Sequence, residues 1–197
     1  MGRPGSGGVT LIELLVTVTV LAIVLGLGVP SFSRLIASNR IASQTNEFTG
    51  ALQLARSEAV RRGLGVALRT DNSTDNFAAE WKVFTNSDNS GSASSYVTTV
   101  TDQGMLIREG GAGNTSTAGT TATIKRVTRS GSVGAYTYAT STAADRVFLV
   151  FNSRGATLAG GAAFFKVCDA ATTSVKGRIV QVSTVGKVSL DSSNESC

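Results

Sequence analysis

Histidine is absent from this 197-residue chain, and its absence excludes several classes of site. Ser-His-Asp and Cys-His nucleophile systems need an imidazole base, and most zinc sites include an imidazole ligand. No Cys-x-x-Cys pair occurs, and the glycine-rich runs lack the spacing of a phosphate-binding loop. The loop aspartates do not follow an EF-hand pattern, and these are Asp71, Asp75 and Asp88. We therefore expect no enzyme, no cofactor and no metal site.

Charged residues are few and unevenly placed, with 18 Lys+Arg against 13 Asp+Glu. Residues 64–119 contain three basic and six acidic side chains, whereas residues 120–197 contain nine basic and four acidic ones. A basic C-terminal part suits a polyanionic partner such as nucleic acid, although a modest positive balance usually indicates only a solvated surface.

An apolar run near the N-terminus contains no charge from Leu14 to Val29. At about 1.5 Å per residue, a helix over residues 11–29 is roughly 30 Å long, which matches one hydrocarbon core. Glu13 lies at the start of this run, where a carboxylate in lipid costs less than the ~2–3 kcal/mol expected near the centre. It needs a compensating partner and is therefore a candidate functional residue.

Three interpretations of this run compete. A cleaved secretory signal would use Arg3 as its basic start and residues 26–28 as its cut site, but it leaves a glutamate inside the apolar core. A plain membrane anchor explains the length of the run and not the glutamate. The third interpretation is a resemblance, because the run GVTLIELLV at residues 8–16 is similar to the class III signal of type IV pilins and type II secretion pseudopilins.

That resemblance implies roles for three residues. A prepilin peptidase would cut after Gly8, and Val9 would become the methylated N-terminus, where most of the family has phenylalanine. Glu13 would pair with the terminal amine of a neighbouring subunit in a filament. A terminal amine with a pKa of about 8 is cationic at neutral pH, so it would compensate the carboxylate.

Beyond Pro30 the helical pattern becomes amphipathic and ends near residue 62. Five apolar residues share one face at helical spacing: Ile41, Phe48, Leu52, Ala55 and Ala59. Glu58 and Arg62 are four residues apart in the favourable order, and Gly63 suits a C-cap. We expect one helix from about residue 10 to residue 62, weakened in its middle by Pro30 and the glycines before it.

After the helix the chain shows short β-type segments between polar loops. The predicted strands are 66–69, 80–84, 105–108, 123–128, 136–138, 146–151, 164–168, 178–183 and 187–190. This order predicts an α+β domain in which the helix packs on an antiparallel β-sheet. The expected organisation is a leader at 1–8, a transmembrane helix half at 9–30, an amphipathic helix half at 31–63 and a β-rich globular domain at 64–197.

The helix sequence at residues 34–63 resembles, more specifically, the FimT/GspH group of minor pilins, and shorter matches follow in order as far as residue 188. The resemblance implies a pilin-like fold and a minor subunit of a type IV pilus near the filament tip, with other pilins as partners. It implies a single-pass protein of the bacterial inner membrane, with the globular domain in the periplasm and, after assembly, at the cell surface. The alternative is a GspH-like pseudopilin of a type II secretion system.

FimT-like minor pilins can also bind DNA in natural transformation, through a glycine followed by two arginines one residue apart. The nearest equivalent here is Gly186-Lys187-Val188-Ser189, in which lysine and serine replace the arginines. Lysine offers a point charge where arginine offers a fork of donors. Five cations and a mobile tail form the candidate surface for sequence-independent binding of double-stranded DNA: Arg154, Lys166, Lys176, Arg178 and Lys187. Ordinary exposed cations on strands are the alternative.

Cys168 and Cys197 are the two cysteines, and the second is the last residue. An exported domain lies in an oxidising compartment. A bridge closing about 30 residues could add roughly 3–4 kcal/mol of stability there. We expect this bridge, with two free thiols as the alternative.

Overall fold

The computed structural model describes residues 8–70, 76–85, 106–111, 122–129, 136–138, 148–158, 161–169 and 175–197. The loop aspartates Asp71, Asp75 and Asp88 and the first seven residues of the predicted leader lie outside these ranges. The chain divides into two compact units, Met1–Ile36 and Ala37–Cys197.

Helix α1, Leu11–Arg62, is 52 residues long and closely matches the predicted span. Its backbone stays helical through Pro30, although a proline inside a helix removes one backbone donor. The helix ends at Gly63, whose φ of 67° is the left-handed conformation typical of a glycine C-cap. The extent of the helix and its C-cap are therefore confirmed.

Nine strands follow within the described residues, and each overlaps one of the predicted segments. They are β1 (Val66–Arg69), β2 (Trp81–Thr85), β3 (Leu106–Gly110), β4 (Ala122–Arg129), β5 (Tyr136–Tyr138), β6 (Phe148–Phe151), β7 (Ala163–Asp169), β8 (Gly177–Val182) and β9 (Val188–Glu195). They form two antiparallel sheets, in the orders β3-β2-β1-β6 and β5-β4-β7-β8-β9. The predicted α+β architecture is confirmed.

One buried core joins the second half of α1 to both sheets. The predicted helical stripe is buried along its whole length: Ile41, Phe48, Leu52, Ala55 and Ala59. The Phe48 ring meets Phe77 and Phe165 edge-to-face, with centroids 5.4 and 5.0 Å away. Such aromatic pairs add about 0.5–1.5 kcal/mol to the effect of area burial. Because Phe165 lies on β7, this cluster fixes the helix against the second sheet.

A salt bridge ties the helix to the end of β7. Arg40 Nη1 donates to Asp169 Oδ2 at 3.1 Å, and the Asp169 side chain is only 1% exposed. A carboxylate this deep in the protein is costly unless a cation and hydrogen bonds compensate it. The two residues are 129 positions apart, so no local spacing in the sequence could have indicated the pair.

The C-terminal tail is held against the second sheet, so the expectation of a mobile tail is wrong. Strand β9 continues to Glu195 instead of ending at Leu190, because it goes on pairing with β8 past an irregularity in the register. Cys168 and Cys197 form a disulfide with their Cα atoms 5.7 Å apart, which confirms the predicted bridge.

The disulfide and the tail cover two residues of the second sheet. A Cβ atom at Gly177 would lie 2.9 Å from both disulfide sulfurs, so no larger residue fits beneath the bridge. Lys166 alternates along β7 with the core residues Phe165 and Val167 and therefore lies on the opposite face. Its Nζ donates to the Ser196 carbonyl at 2.7 Å, which fastens the tail a second time.

Candidate functional site

The helix begins with a capping arrangement around Thr10. Thr10 Oγ1 accepts a hydrogen bond from the Glu13 N–H at 3.3 Å, and the Thr10 carbonyl accepts one from the Leu14 N–H at 3.2 Å. Thr10 and Glu13 thus occupy the N-cap and N3 positions of a capping-box sequence. The positive end of the helix dipole stabilises a carboxylate in this turn. The predicted processing residues Gly8 and Val9 lie directly before it, and both are exposed.

The turns that follow present apolar side chains around the helix. The more than half-exposed residues include Leu11, Ile12, Val20, Leu21 and Val24, which at about 100° per residue spread around the whole circumference. Among the described residues, α1 is the one helix that is long and apolar enough to cross a membrane by length and composition. A helix that is apolar on all sides is stable where lipid or other helices surround it.

Three of the five predicted cations lie at opposite ends of β8. Lys176 and Arg178 lie at its start, whereas Lys187 follows its end, and at about 3.3 Å per residue at least roughly 13 Å of strand separates them. Lys166 is 8% exposed, and its ammonium is engaged by the tail. Arg154 is exposed in a turn at residues 152–155. The predicted surface is therefore not one continuous patch, because Lys166 faces the tail and the strand separates the others.

Arg56 on the helix brings two turns of the β domain together. Its Nε donates to the Gly155 carbonyl at 3.1 Å, and its Nη2 donates to the Val185 carbonyl at 3.2 Å. Gly186 has a φ of 76°, and a Cβ atom there would collide with the Gly155 carbonyl. Only glycine allows this close approach. We call Arg56 with residues 152–155 and 183–187 the helix–turn junction.

Arg154 and Lys187 are both exposed at the helix–turn junction, so the structure does bring these two predicted cations to one place. A groove of about 640 Å³ opens there between the helix and the β8–β9 turn. Its lining includes Arg56, Ser57, Val60, Arg61, Lys187 and Val188. Cations and aliphatic side chains thus line the same groove.

Two arginines share one carboxylate at the end of the helix. Arg61 Nη2 and Arg62 Nε lie 2.6 and 2.7 Å from Glu58 Oε2. These hydrogen bonds, first from Arg61 and then from Arg62, hold the pKa of Glu58 below its ordinary value. The same contact raises the pKa of Arg61. The predicted pairing of Glu58 with Arg62 is confirmed.

Within the ranges that the structure describes, no three His, Cys, Asp or Glu side chains gather where they could hold a metal ion.

Two sequence profiles match the chain. The prokaryotic N-terminal methylation motif matches residues 3–29, and the type II transport protein GspH matches residues 44–186. The chain belongs to the GspH family. The first profile covers the capped helix start, and the second covers the helix from residue 44 onward and every described strand except β9. No curated protein sequence matches the chain.

Solved structures of a type IV minor pilin show the same fold. The type IV minor pilin FimU of Pseudomonas aeruginosa strain PAO1 matches with a TM-score of 0.55 and 18% identity, over 81% of this chain and 94% of that chain. The minor pseudopilin EpsH from the Type 2 Secretion System of Vibrio cholerae has a TM-score of 0.45 and 14% identity, over 80% and 99%. The GspH-family chain is a minor pilin or pseudopilin of a type IV pilus or type II secretion system, and this membership implies assembly with other pilins.

Two candidate residues of this GspH-family chain lie outside the set predicted from its sequence. Thr10 carries a local signal, the Thr-x-x-Glu spacing of a capping box, that could have identified it. Arg56 carries none, because the carbonyls it binds are 99 and 129 residues away.

Proposed function

We propose that this GspH-family chain is a membrane-anchored minor subunit of a type IV pilus, placed near the filament tip. A prepilin peptidase cuts after Gly8, and Val9 becomes the methylated terminus. The apolar helix half at 9–30 inserts in the bacterial inner membrane, with the globular domain in the periplasm until the subunit joins the filament. In this role the chain catalyses no reaction.

The observation that carries the proposal is the position of Glu13. It is the single charged residue between Gly8 and Arg34. The apolar side chains around it, among them Ile12 and Leu14, are more than half exposed. The Glu13 backbone N–H is bound by Thr10, so the carboxylate stands at a well-formed helix start. The terminal amine of Val9 in a neighbouring subunit supplies the cation that a carboxylate in apolar surroundings requires.

The Glu13→Ala variant tests this role directly. Membrane insertion should persist, because the apolar run is unchanged, and incorporation into filaments should be lost. Incorporation is measured by immunoblotting sheared filaments against the membrane fraction. Thr19→Ala, in the same apolar run, is the matched control and should assemble normally. Normal filament incorporation of Glu13→Ala would count against the role.

Processing has its own test, the intact mass and N-terminal sequence of the membrane-extracted protein. We expect a chain that begins at methylated Val9 and lacks two hydrogens because of the Cys168–Cys197 bridge. A chain that begins at Met1, in cells with active prepilin peptidase, would reduce the helix half to a plain anchor. A start near Val29 would make it a cleaved secretory signal.

The alternative within the same family is a pseudopilin of a type II secretion system. The matching profile carries the name of a type II transport protein, and the FimU likeness supports only the fold at 18% identity. Neighbouring genes separate the two: a secretin and secretion ATPase for the pseudopilin, pilus and competence components for the pilin. Co-purification of the assembled filament with either set decides the question.

DNA binding in natural transformation is a second candidate function. Its support is the exposure of Arg154 and Lys187 at the helix–turn junction, next to Arg56. A gel shift of the full chain in detergent micelles should show binding to duplex DNA that weakens with salt. Lys187→Gln and Arg154→Gln should each reduce the salt slope by about one unit. Lys176→Gln, at the other end of β8, is the control, and equal losses in all three variants would contradict a junction site.

A further inference from the structure

The groove at the helix–turn junction carries positive charge that the described residues leave uncompensated. No carboxylate in the ranges given above pairs with Arg56 or Lys187. Glu58, the nearby acid on the helix, is shared by Arg61 and Arg62. A groove with cations on both walls concentrates an anionic ligand.

The Arg56 guanidinium is preorganised to bind an anionic ligand. Two of its five N–H groups are held by the carbonyls of Gly155 and Val185, which fixes the guanidinium plane. A donor that is already fixed loses less conformational freedom when it binds a carboxylate. Lys187 lies across the groove on an exposed turn and contributes a mobile point charge.

The groove also has an apolar part. Val60 is 54% exposed although it lies on the buried half of the helix, and Val188 lines the opposite wall. Exposed valines beside cations suit a ligand that carries both carboxylates and aliphatic groups. A phosphate backbone satisfies the cations only, whereas an acidic peptide with a small aliphatic side chain satisfies both.

We infer that the groove binds an extended acidic segment of a neighbouring filament subunit. Carboxylates of that segment meet Arg56 and Lys187, and an aliphatic side chain covers Val60. The inference rests on the proposed filament role, which places other subunits beside this one. Acidic stretches of the required kind occur in the chain's own β domain, since residues 64–119 contain six acidic and three basic side chains.

The test is a fluorescence anisotropy titration of the full chain in zwitterionic detergent. The probe is a labelled peptide of alternating glutamate and valine, seven residues in all by design, and the comparison ligands are its glutamine analogue and a short DNA duplex. We expect the glutamate peptide to bind and the glutamine analogue to bind at least about tenfold more weakly.

Two variants separate the two parts of the groove. Lys187→Gln should weaken peptide binding about three- to fivefold. Val60→Ser should weaken peptide binding about threefold and leave DNA binding unchanged. Lys176→Gln is the matched control and should change neither. Both variant sites are exposed, so the fold tolerates the changes.

The inference is overturned if the peptide fails to bind, or if Val60→Ser leaves its affinity unchanged. A groove that binds the duplex more tightly than the peptide also overturns it and supports the DNA candidate instead. The titration uses chain that is not assembled, so its result is independent of the Glu13→Ala assembly test. Failure here with normal Glu13-dependent assembly rejects the groove alone.

Discussion

The two halves of helix α1 differ in what covers their apolar side chains. Leu14 and Leu21 in the first half are more than half exposed, whereas Ile41, Phe48 and Leu52 in the second half are at most 1% exposed. The first half is apolar around its circumference, and the second has one stripe that the β domain covers. One continuous helix thus carries a buried stripe that stabilises the β domain in its second half, whereas the described apolar side chains of its first half are exposed.

Truncating one apolar residue in each half should give the largest contrast. Phe48→Ala removes the ring that meets Phe77 and Phe165, and it should lower the free energy of unfolding by about 3–5 kcal/mol. Leu21→Ala should change it by less than ~0.5 kcal/mol, because the Leu21 side chain is 56% exposed. Urea unfolding of the full chain in micelles, followed by the fluorescence of Trp81, measures both. Equal losses of unfolding free energy in the two variants would contradict the difference between the two helix halves.

The disulfide should stabilise the β domain and have no effect on the first half of the helix. Replacing Cys168 and Cys197 by serine should lower the free energy of unfolding of the β domain by roughly 3–4 kcal/mol, because the unfolded chain regains its freedom. The helicity of the first helix half in micelles, measured by circular dichroism, should not change. Reduction of the native chain should reproduce the loss, and an unfolding midpoint insensitive to reductant would contradict the prediction.

Two arginines on either side of the boundary between the two units give an intermediate contrast. Arg40→Ala removes the guanidinium that binds the Asp169 carboxylate, and it should lower the free energy of unfolding by about 1–3 kcal/mol, since Arg40 itself is 39% exposed. Arg34→Ala, in the unit Met1–Ile36, should leave the unfolding midpoint unchanged. A second change, Asp169→Asn in the Arg40→Ala background, should restore part of the loss. No recovery would mean that the charge of Asp169 is not the cause.

The smallest effect is expected at the exposed end of the helix. The lowered pKa of Glu58 means that its contribution is present above the ordinary glutamate pKa of about 4.3 and is lost as the pH falls through the lowered value. Glu58→Gln should therefore be slightly less stable than the native chain at neutral pH and equally stable in strong acid. A stability difference between the two chains that grows on acidification would contradict the lowered pKa of Glu58. Unfolding midpoints across the acid range measure it.

Most of the fold could be predicted because its signals are local. The helical stripe repeats every three or four residues, and each strand is a short β-type run between polar loops, so neighbouring residues define each element. The last strand was predicted too short, since residues 191–195 are polar and carry no β signal of their own. Pairing with β8 and the terminal disulfide extend it.

The candidate sites likewise divide into residues that a local signal identifies and groupings that only the fold creates. Gly8, Val9 and Glu13 lie in one contiguous signal, so the sequence suffices to propose them. The basic residues could be named from the sequence, but their grouping could not. Lys166 alternates with core residues and is covered by the tail, whereas Arg154 and Lys187 lie on two turns that Arg56 joins through the Gly155 and Val185 carbonyls.

The sequence by itself determined the helix, the number and order of the described strands, the glutamate at the helix start and the availability of two cysteines. Tertiary structure alone decided that Arg40 compensates a buried Asp169, that the tail covers Lys166, and that a cationic groove opens beside Arg56. The physical reason is the separation along the chain over which each interaction acts. Periodicity and capping act between residues a few positions apart, whereas these contacts join residues from 30 to 129 positions apart and exist only once the two sheets and the helix share one core.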